Sequence, residues 1–151
     1  MTGIRFMAKS KNILKVRLLL FSNGRILLLH QTKKNGGNLS LVGGTVEAEE
    51  HARRSLVRES IEEAGIIVKE EDLHLKHVLH KLTGNQHRMT LYFQADIYNG
   101  FPHTREPEKL QNAAWYDLDN LPAKLTGTVR HVLKEVRKGN IYSEFTKVSR
   151  R

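Results

Sequence analysis

The chain contains no cysteine. That excludes disulfides, thiolate metal sites and cysteine nucleophiles, and makes a cytoplasmic setting the default expectation. Long apolar runs are also missing. The longest, Leu18–Phe21 and Ile26–Leu29, have strand length, well short of the ~18 residues of a membrane span, so no membrane partner is expected. Met1–Asn12 carries basic residues without an apolar stretch behind them, which argues against a secretory signal. No internal repeat and no low-complexity linker interrupts the chain. Its 151 residues suit one domain with one core, expected to span residues 1–151, with the core at about 15–138 and basic tails on both sides.

Positive charge is what the chain has in excess, a formal net +9. Such a balance attracts anions, whether nucleotides, nucleic acid or a membrane surface, without choosing among them. Much of it sits near the ends, at Lys9, Lys11, Lys15 and Arg17 and then at Lys134, Arg137, Lys138, Lys147, Arg150 and Arg151. Solubility and basic tails explain this as readily as a nucleic-acid role.

Periodicity places the elements. Lys15–Leu20 and Arg25–His30 read as strands joined by a Ser22-Asn23-Gly24 hairpin turn, because Asn and Gly tolerate positive φ. Lys33–Asn38 reads as a loop, and Leu39–Val42 as a short strand ended by Gly43-Gly44. Glu49 to Ala64 has helical spacing of Ala52, Leu56, Val57, Ile61 and Ala64, with Gly65 placed as a left-handed terminator. Leu73–Leu82 and Arg88–Tyr98 are predicted as strands around Thr83-Gly84-Asn85, and Phe101–Lys109 as a loop with two prolines. Gln111–Asp117 is a further strand, and Thr126–Lys138 a second amphipathic helix. Strands and helices interspersed in this way predict a mixed sheet between helices, without a regular βαβ repeat.

The chemistry concentrates in Gly44 to Ile66, GTVEAEEHARRSLVRESIEEAGI. Glu59, Glu62 and Glu63 fall at i, i+3 and i+4, hence on one helical face. Their mutual repulsion is worsened by the negative end of the helix dipole, and a cation relieves both. Carboxylate oxygens are hard ligands that suit magnesium or manganese. Glu50 adds a fourth carboxylate, and Arg58 is placed to orient one of them by a bidentate contact. Taken alone, three glutamates near a helix end are more often a solvated acidic face.

The surrounding residues change that balance. The segment resembles the Nudix signature, G-x5-E-x7-R-E-U-x-E-E-x-G-U with U aliphatic, at Gly44, Glu50, Arg58, Glu59, Glu62, Glu63, Gly65 and Ile66. Seven fixed positions match by chance on the order of 10⁻⁸ to 10⁻⁹ per window, taking typical residue usage. Two departures are Ser60, where the family prefers an aliphatic residue, and Val42, where many members carry proline. Trp115-Tyr116-Asp117-Leu118 followed by Leu121-Pro122 looks like the usual end of a Nudix domain, so the resemblance covers roughly residues 15–138. It implies an α/β/α sandwich and metal-dependent hydrolysis of a nucleoside diphosphate linked to another group. By carry-over, Glu59, Glu62 and Glu63 are the metal ligands, with the Gly44 carbonyl as an extra one. Glu50 binds through water, and Arg58 orients. The general base is either a signature glutamate or a later carboxylate, with Glu106, Glu108 and Asp96 as candidates.

Substrate contacts are sought outside the signature. Lys33, with Lys34, sits on a loop that could reach phosphates. Ser40 and Leu41 lead into the signature, and His80, Arg88 and Tyr92 lie on paired strands. Trp115 is read first as core and second as a base-stacking ring. Three functions stay open. A housecleaning nucleoside triphosphate pyrophosphohydrolase leads. A hydrolase of nucleotide sugars, dinucleoside polyphosphates or RNA 5′ ends follows, with the positive charge mildly favouring RNA. A non-catalytic nucleotide- or RNA-binding module is third, disfavoured by the intact glutamates. The absence of cysteine argues against an isopentenyl diphosphate isomerase, a branch of the superfamily that uses a catalytic cysteine. A homodimer is expected only by analogy with relatives.

Overall fold

The computed structural model describes residues 9–104, 106–108 and 110–148. Parts of the expected basic tails (residues 1–8, Arg150 and Arg151) and Lys109 at the end of the proline loop lie outside them. The strands are β1 (Lys11–Ser22), β2 (Arg25–Gln31), β3 (Leu39–Ser40), β4 (Gly43–Thr45), β5 (His74–Thr83), β6 (Gln86–Ala95), β7 (Leu110–Asp117) and β8 (Tyr142–Thr146). The two α-helices are α1 (Ala52–Ala64) and α2 (Gly127–Arg137). The strands form one eight-stranded mixed sheet in the order β3-β2-β1-β6-β5-β8, with β4 also pairing β1 and β7 also pairing β2. No helix among the described residues is long and apolar enough to cross a membrane.

Strand β1 organises the molecule. It runs parallel to β6 from Lys11↔Gln86 to Leu20↔Ala95. Its middle pairs antiparallel with β4 at Lys15↔Thr45, Val16↔Gly44 and Arg17↔Gly43, and its end with β2. Alternation sorts its side chains between two cores. Val16, Leu18 and Leu20 pack with Leu56 and Ala64 of α1. Leu19 packs with Val129 and Val132 of α2 on the opposite face. Covered on both faces, a central strand is apolar at consecutive positions, as Leu18–Leu20 are. The expected sheet between helices is present.

Asn23 and Gly24 adopt φ of 51° and 73°, the geometry expected for the first hairpin. Three expectations need correction. Gly43-Gly44 opens β4 and does not end the preceding strand, because both residues pair with β1. Helix α1 starts at Ala52 and not at Glu49, because Glu49 takes φ 68°, which helical backbone cannot use. Residues 142–146, expected as tail, form β8, which pairs parallel to β5. The sheet reaches beyond the expected core at the N-terminal side as well, from Lys11.

Helix α2 is capped by Thr126, whose Oγ1 accepts from Val129 N–H at 3.3 Å. Thr126→Ala removes that acceptor and is expected to cost about 1 kcal/mol, read as a Tm lower by a few degrees in thermal unfolding. An unchanged Tm would show that the cap contributes nothing.

Candidate active site

Helix α1 lies against β4 and presents its carboxylates to that strand's backbone. Glu63 Oε1 accepts from Gly43 N–H at 2.8 Å. Glu59 fills the space beside Gly44 so closely that a Cβ there would sit 2.4 Å from Glu59 Oε1. Both glutamates are half-buried. Burial pushes the Glu63 carboxyl up to about 7, with the Gly43 N–H opposing and Glu59 reinforcing the rise. The Glu59 carboxyl is also raised, chiefly by burial, with Arg58 opposing and Glu62 adding to the rise. Carboxylates held in this way gain from a neighbouring cation.

Arg58 is the cation present in the protein itself. Its Nη2 and Nε meet the two oxygens of Glu50 at 2.8 and 3.3 Å, the bidentate contact anticipated from sequence. Its Nη1 donates to Glu59 Oε1 at 3.2 Å and to Glu62 Oε2 at 3.1 Å. The guanidinium, with the Glu47 N–H second, holds Glu50 down at about 2. Glu50 is therefore ionised across the physiological range; it precedes the helix, at the end of a turn that starts at Glu47. Ser60 is fully buried, and its hydroxyl donates to the Leu56 carbonyl at 2.7 Å. The departure from an aliphatic residue is thus accommodated inside the helix, with no buried polar group left unpaired. Gly65 closes α1 at φ 64°, and a Cβ there would meet the His103 ring at 2.1 Å. This explains why the motif needs glycine at that point.

The donor set fits a hard divalent cation. All its ligand atoms are oxygens, and only glycine at position 44 leaves room for Glu59 against the strand. Among the described residues no three His, Asp or Glu side chains are already gathered as a cage; Arg58 contacts Glu50, Glu59 and Glu62. Of the loop carboxylates, Glu106 acts on this patch, raising both Glu59 and Glu63. Asp96 instead accepts from Gln94 in the exposed bend after β6, and Glu108 lies exposed.

On the α2 face of the sheet a cavity of about 490 Å³ is lined by Lys15, Arg17, Ser40, Lys81, Arg88 and Lys147, among others. Lys15 and Arg17 connect it to the glutamates. Glu63 and Glu59 both act electrostatically on Lys15, and Arg17 opposes the rise of Glu63. Ser40, Arg88 and Tyr92 line this cavity. Lys33 and His80 do not. Lys33 is exposed in a short 3-10 turn and is not part of the cavity lining. His80 is not part of that lining either, whereas its strand neighbours Leu79 and Lys81 are. Alternation turns it to the other face, where its Nε2 lies 2.7 Å from His87 Nδ1. Trp115 packs on Tyr98 at 5.8 Å in the α1-side core, which is its core reading. Lys15, Arg17, Lys81 and Lys147 were not anticipated as cavity residues. The available signal was Lys15 and Arg17 at i and i+2 in the otherwise apolar stretch Lys15–Leu20, which puts two cations on one sheet face.

Comparison with known proteins agrees with this geometry. The NUDIX domain profile matches residues 11–136. The NAD-capped RNA hydrolases NudC of Yersinia pestis (strain Pestoides F) and Yersinia pseudotuberculosis (strain IP 31758) are each 32% identical over 97 residues, 64% of this chain. The match spans only 35% of those relatives' length. A MutT NUDIX hydrolase from Burkholderia pseudomallei superposes with a TM-score of 0.75 at 28% identity, covering 83% of this chain and 98% of that one. The MutT protein of Methanosarcina mazei Go1 shares the fold at a TM-score of 0.75 and 18% identity, over 87% of this chain and 97% of its own. A profile match over most of the sequence, a shared fold and glutamates converging on paired glycines together establish that this chain belongs to the NUDIX family of hydrolases.

Proposed function

We propose that the protein hydrolyses a phosphoanhydride bond of a nucleoside diphosphate linked to a further group, with nucleoside triphosphates, cut to monophosphate and pyrophosphate, as its substrates. The observation that carries this reading is the pairing of half-buried carboxylates on the Gly43-Gly44 backbone with a basic cavity beside them. In this reading Glu59, Glu62, Glu63 and the Gly44 carbonyl hold magnesium or manganese, and Glu50 contributes through water. When bound, the cation neutralises the diphosphate and makes a water more acidic.

The chain's own groups do the rest. Lys15 and Arg17 bind phosphate oxygens next to the carboxylates. Arg58 keeps Glu50 ionised and aligned. Glu106 accepts the proton of the water whose oxygen attacks phosphorus in line, while the anhydride P–O bond breaks and its electrons leave with the departing phosphate. A second reading, cleavage at an RNA 5′ end, is favoured by the likeness to the NAD-capped RNA hydrolases NudC.

The test is product analysis over nucleoside triphosphates, a nucleotide sugar, a dinucleoside polyphosphate, NAD and NAD-capped RNA with magnesium. Pyrophosphate released from triphosphates supports the first reading. Turnover confined to the capped RNA moves the assignment to the second. Binding without turnover of any of them rejects hydrolysis in favour of a nucleotide- or RNA-binding role.

A further inference from the structure

The cavity carries more positive charge than one diphosphate needs. Five cations line it, Lys15, Arg17, Lys81, Arg88 and Lys147, and no acidic residue does. Among the described residues every ion pair belongs to Arg58, so none of the five is neutralised by a carboxylate contact. Arg88 Nε is buried and has no hydrogen-bond partner among the described residues, whereas buried polar atoms in native proteins nearly always have one. Lys81 is lowered by burial and then by Lys147, Arg88 and Arg17. Lys15 is lowered to about 8 by burial and then by Arg17 and Arg88. The cations therefore repel one another in place.

They also fall into two groups. Lys15 and Arg17, on β1, adjoin the glutamates. Lys81 pairs with Arg88 across β5 and β6, and Lys147 follows β8, its N–H donating to the Leu82 carbonyl. Strands lie about 4.8 Å apart, so β6 between them holds Lys15 and Lys81 roughly 10 Å apart across the sheet. That spacing leaves room for separate phosphates at the two groups.

We propose that Arg88, Lys81 and Lys147 form a second anion subsite that binds a phosphate of the substrate remote from the scissile anhydride. The preferred substrate is then a nucleotide phosphorylated at two separate positions. This rests on the hydrolase reading above and adds its specificity. The remote phosphate has two chemical sources, a phosphomonoester on the ribose or the phosphodiester of a following nucleotide.

The experiment compares kcat/KM with magnesium for adenosine 5′-triphosphate, its 3′-phosphate derivative and a 5′-triphosphorylated dinucleotide. The native protein is expected to favour at least one phosphorylated substrate about tenfold or more, through KM, as one charge-assisted contact allows. Which substrate is favoured identifies the source. In the double variant Arg88→Gln/Lys81→Gln the preference should fall to near unity. Equal kcat/KM for all three in the native protein, or a preference that survives in the variant, overturns the subsite.

Should no nucleotide be turned over, the hydrolase reading fails, and the subsite is judged separately by thermal unfolding with inorganic tripolyphosphate and no divalent metal. The subsite requires a Tm rise in the native protein that the double variant largely loses. It also requires that Lys134→Gln/Arg137→Gln, which removes the same charge from α2, keeps the rise. No rise, or equal loss in both variants, overturns it.

Discussion

Glu63→Gln is expected to lower kcat by on the order of 10²–10³-fold with magnesium saturating, with no loss of Tm. The amide keeps an oxygen that accepts the Gly43 N–H now bound at 2.8 Å, so β4 and α1 stay docked. The negative charge is what disappears. The sign of the stability effect follows from the raised carboxyl, at about 7. A carboxyl whose folded pKa lies above its unfolded value binds the proton more tightly when folded. Between the two pKa values stability therefore falls as pH rises, and above the folded value the full cost of ionisation remains. A neutral glutamine does not incur that cost, and at neutral pH the variant should be as stable as the native protein or slightly more so. Glu62→Gln is expected to lose activity similarly. Exposed at 46% and bound to Arg58 at 3.1 Å, it has little to lose in stability. Full activity in both variants would remove these carboxylates from the metal site.

The paired glycines separate fold from chemistry. At Gly43, φ is +151°, and an added Cβ would lie 2.0 Å from the Val16 carbonyl oxygen and 2.9 Å from Arg17 Cα. That collision is backbone on backbone, so β4 can accept a methyl group only by leaving β1. Gly43→Ala is expected to cost on the order of 3–5 kcal/mol, seen as a Tm roughly 10 °C or more lower. At Gly44 the obstacle is the end of a flexible side chain, Glu59 Oε1 at 2.4 Å, which can swing aside. Gly44→Ala should therefore cost only about 1 kcal/mol while turnover drops about 10²-fold, because the displaced carboxylate is one of the proposed metal ligands. A native Tm in Gly43→Ala would contradict the β1–β4 register. Native turnover in Gly44→Ala would show that Glu59 is not needed where it stands.

Arg58 illustrates how far a one-dimensional pattern reaches. Its relation to Glu62 follows from helical spacing alone. Its grip on Glu50 depends on the Glu47–Glu50 turn before the helix, which needs a positive φ at Glu49 that no periodicity announces. His80 and Lys33 show the opposite case. Both are polar residues of the kind that bind phosphates; sheet alternation places one on the face opposite the basic cavity, and a 3-10 turn holds the other outside its lining.

What the amino-acid order determined by itself is local. Carboxylates three and four residues apart share a helix face, glycines mark backbone that no side chain permits, and apolar runs of strand length place the sheet. These follow from the fixed geometry of helix and strand over a few residues. The basic cavity was decided only by tertiary structure. Lys15, Lys81, Arg88 and Lys147 are separated by up to most of the chain, and their mutual repulsion gives no local reason for them to meet. Parallel pairing of β1 with β6 and of β5 with β8 brings them onto one face, where burial of the strands' apolar side chains outweighs the cost of gathering like charges.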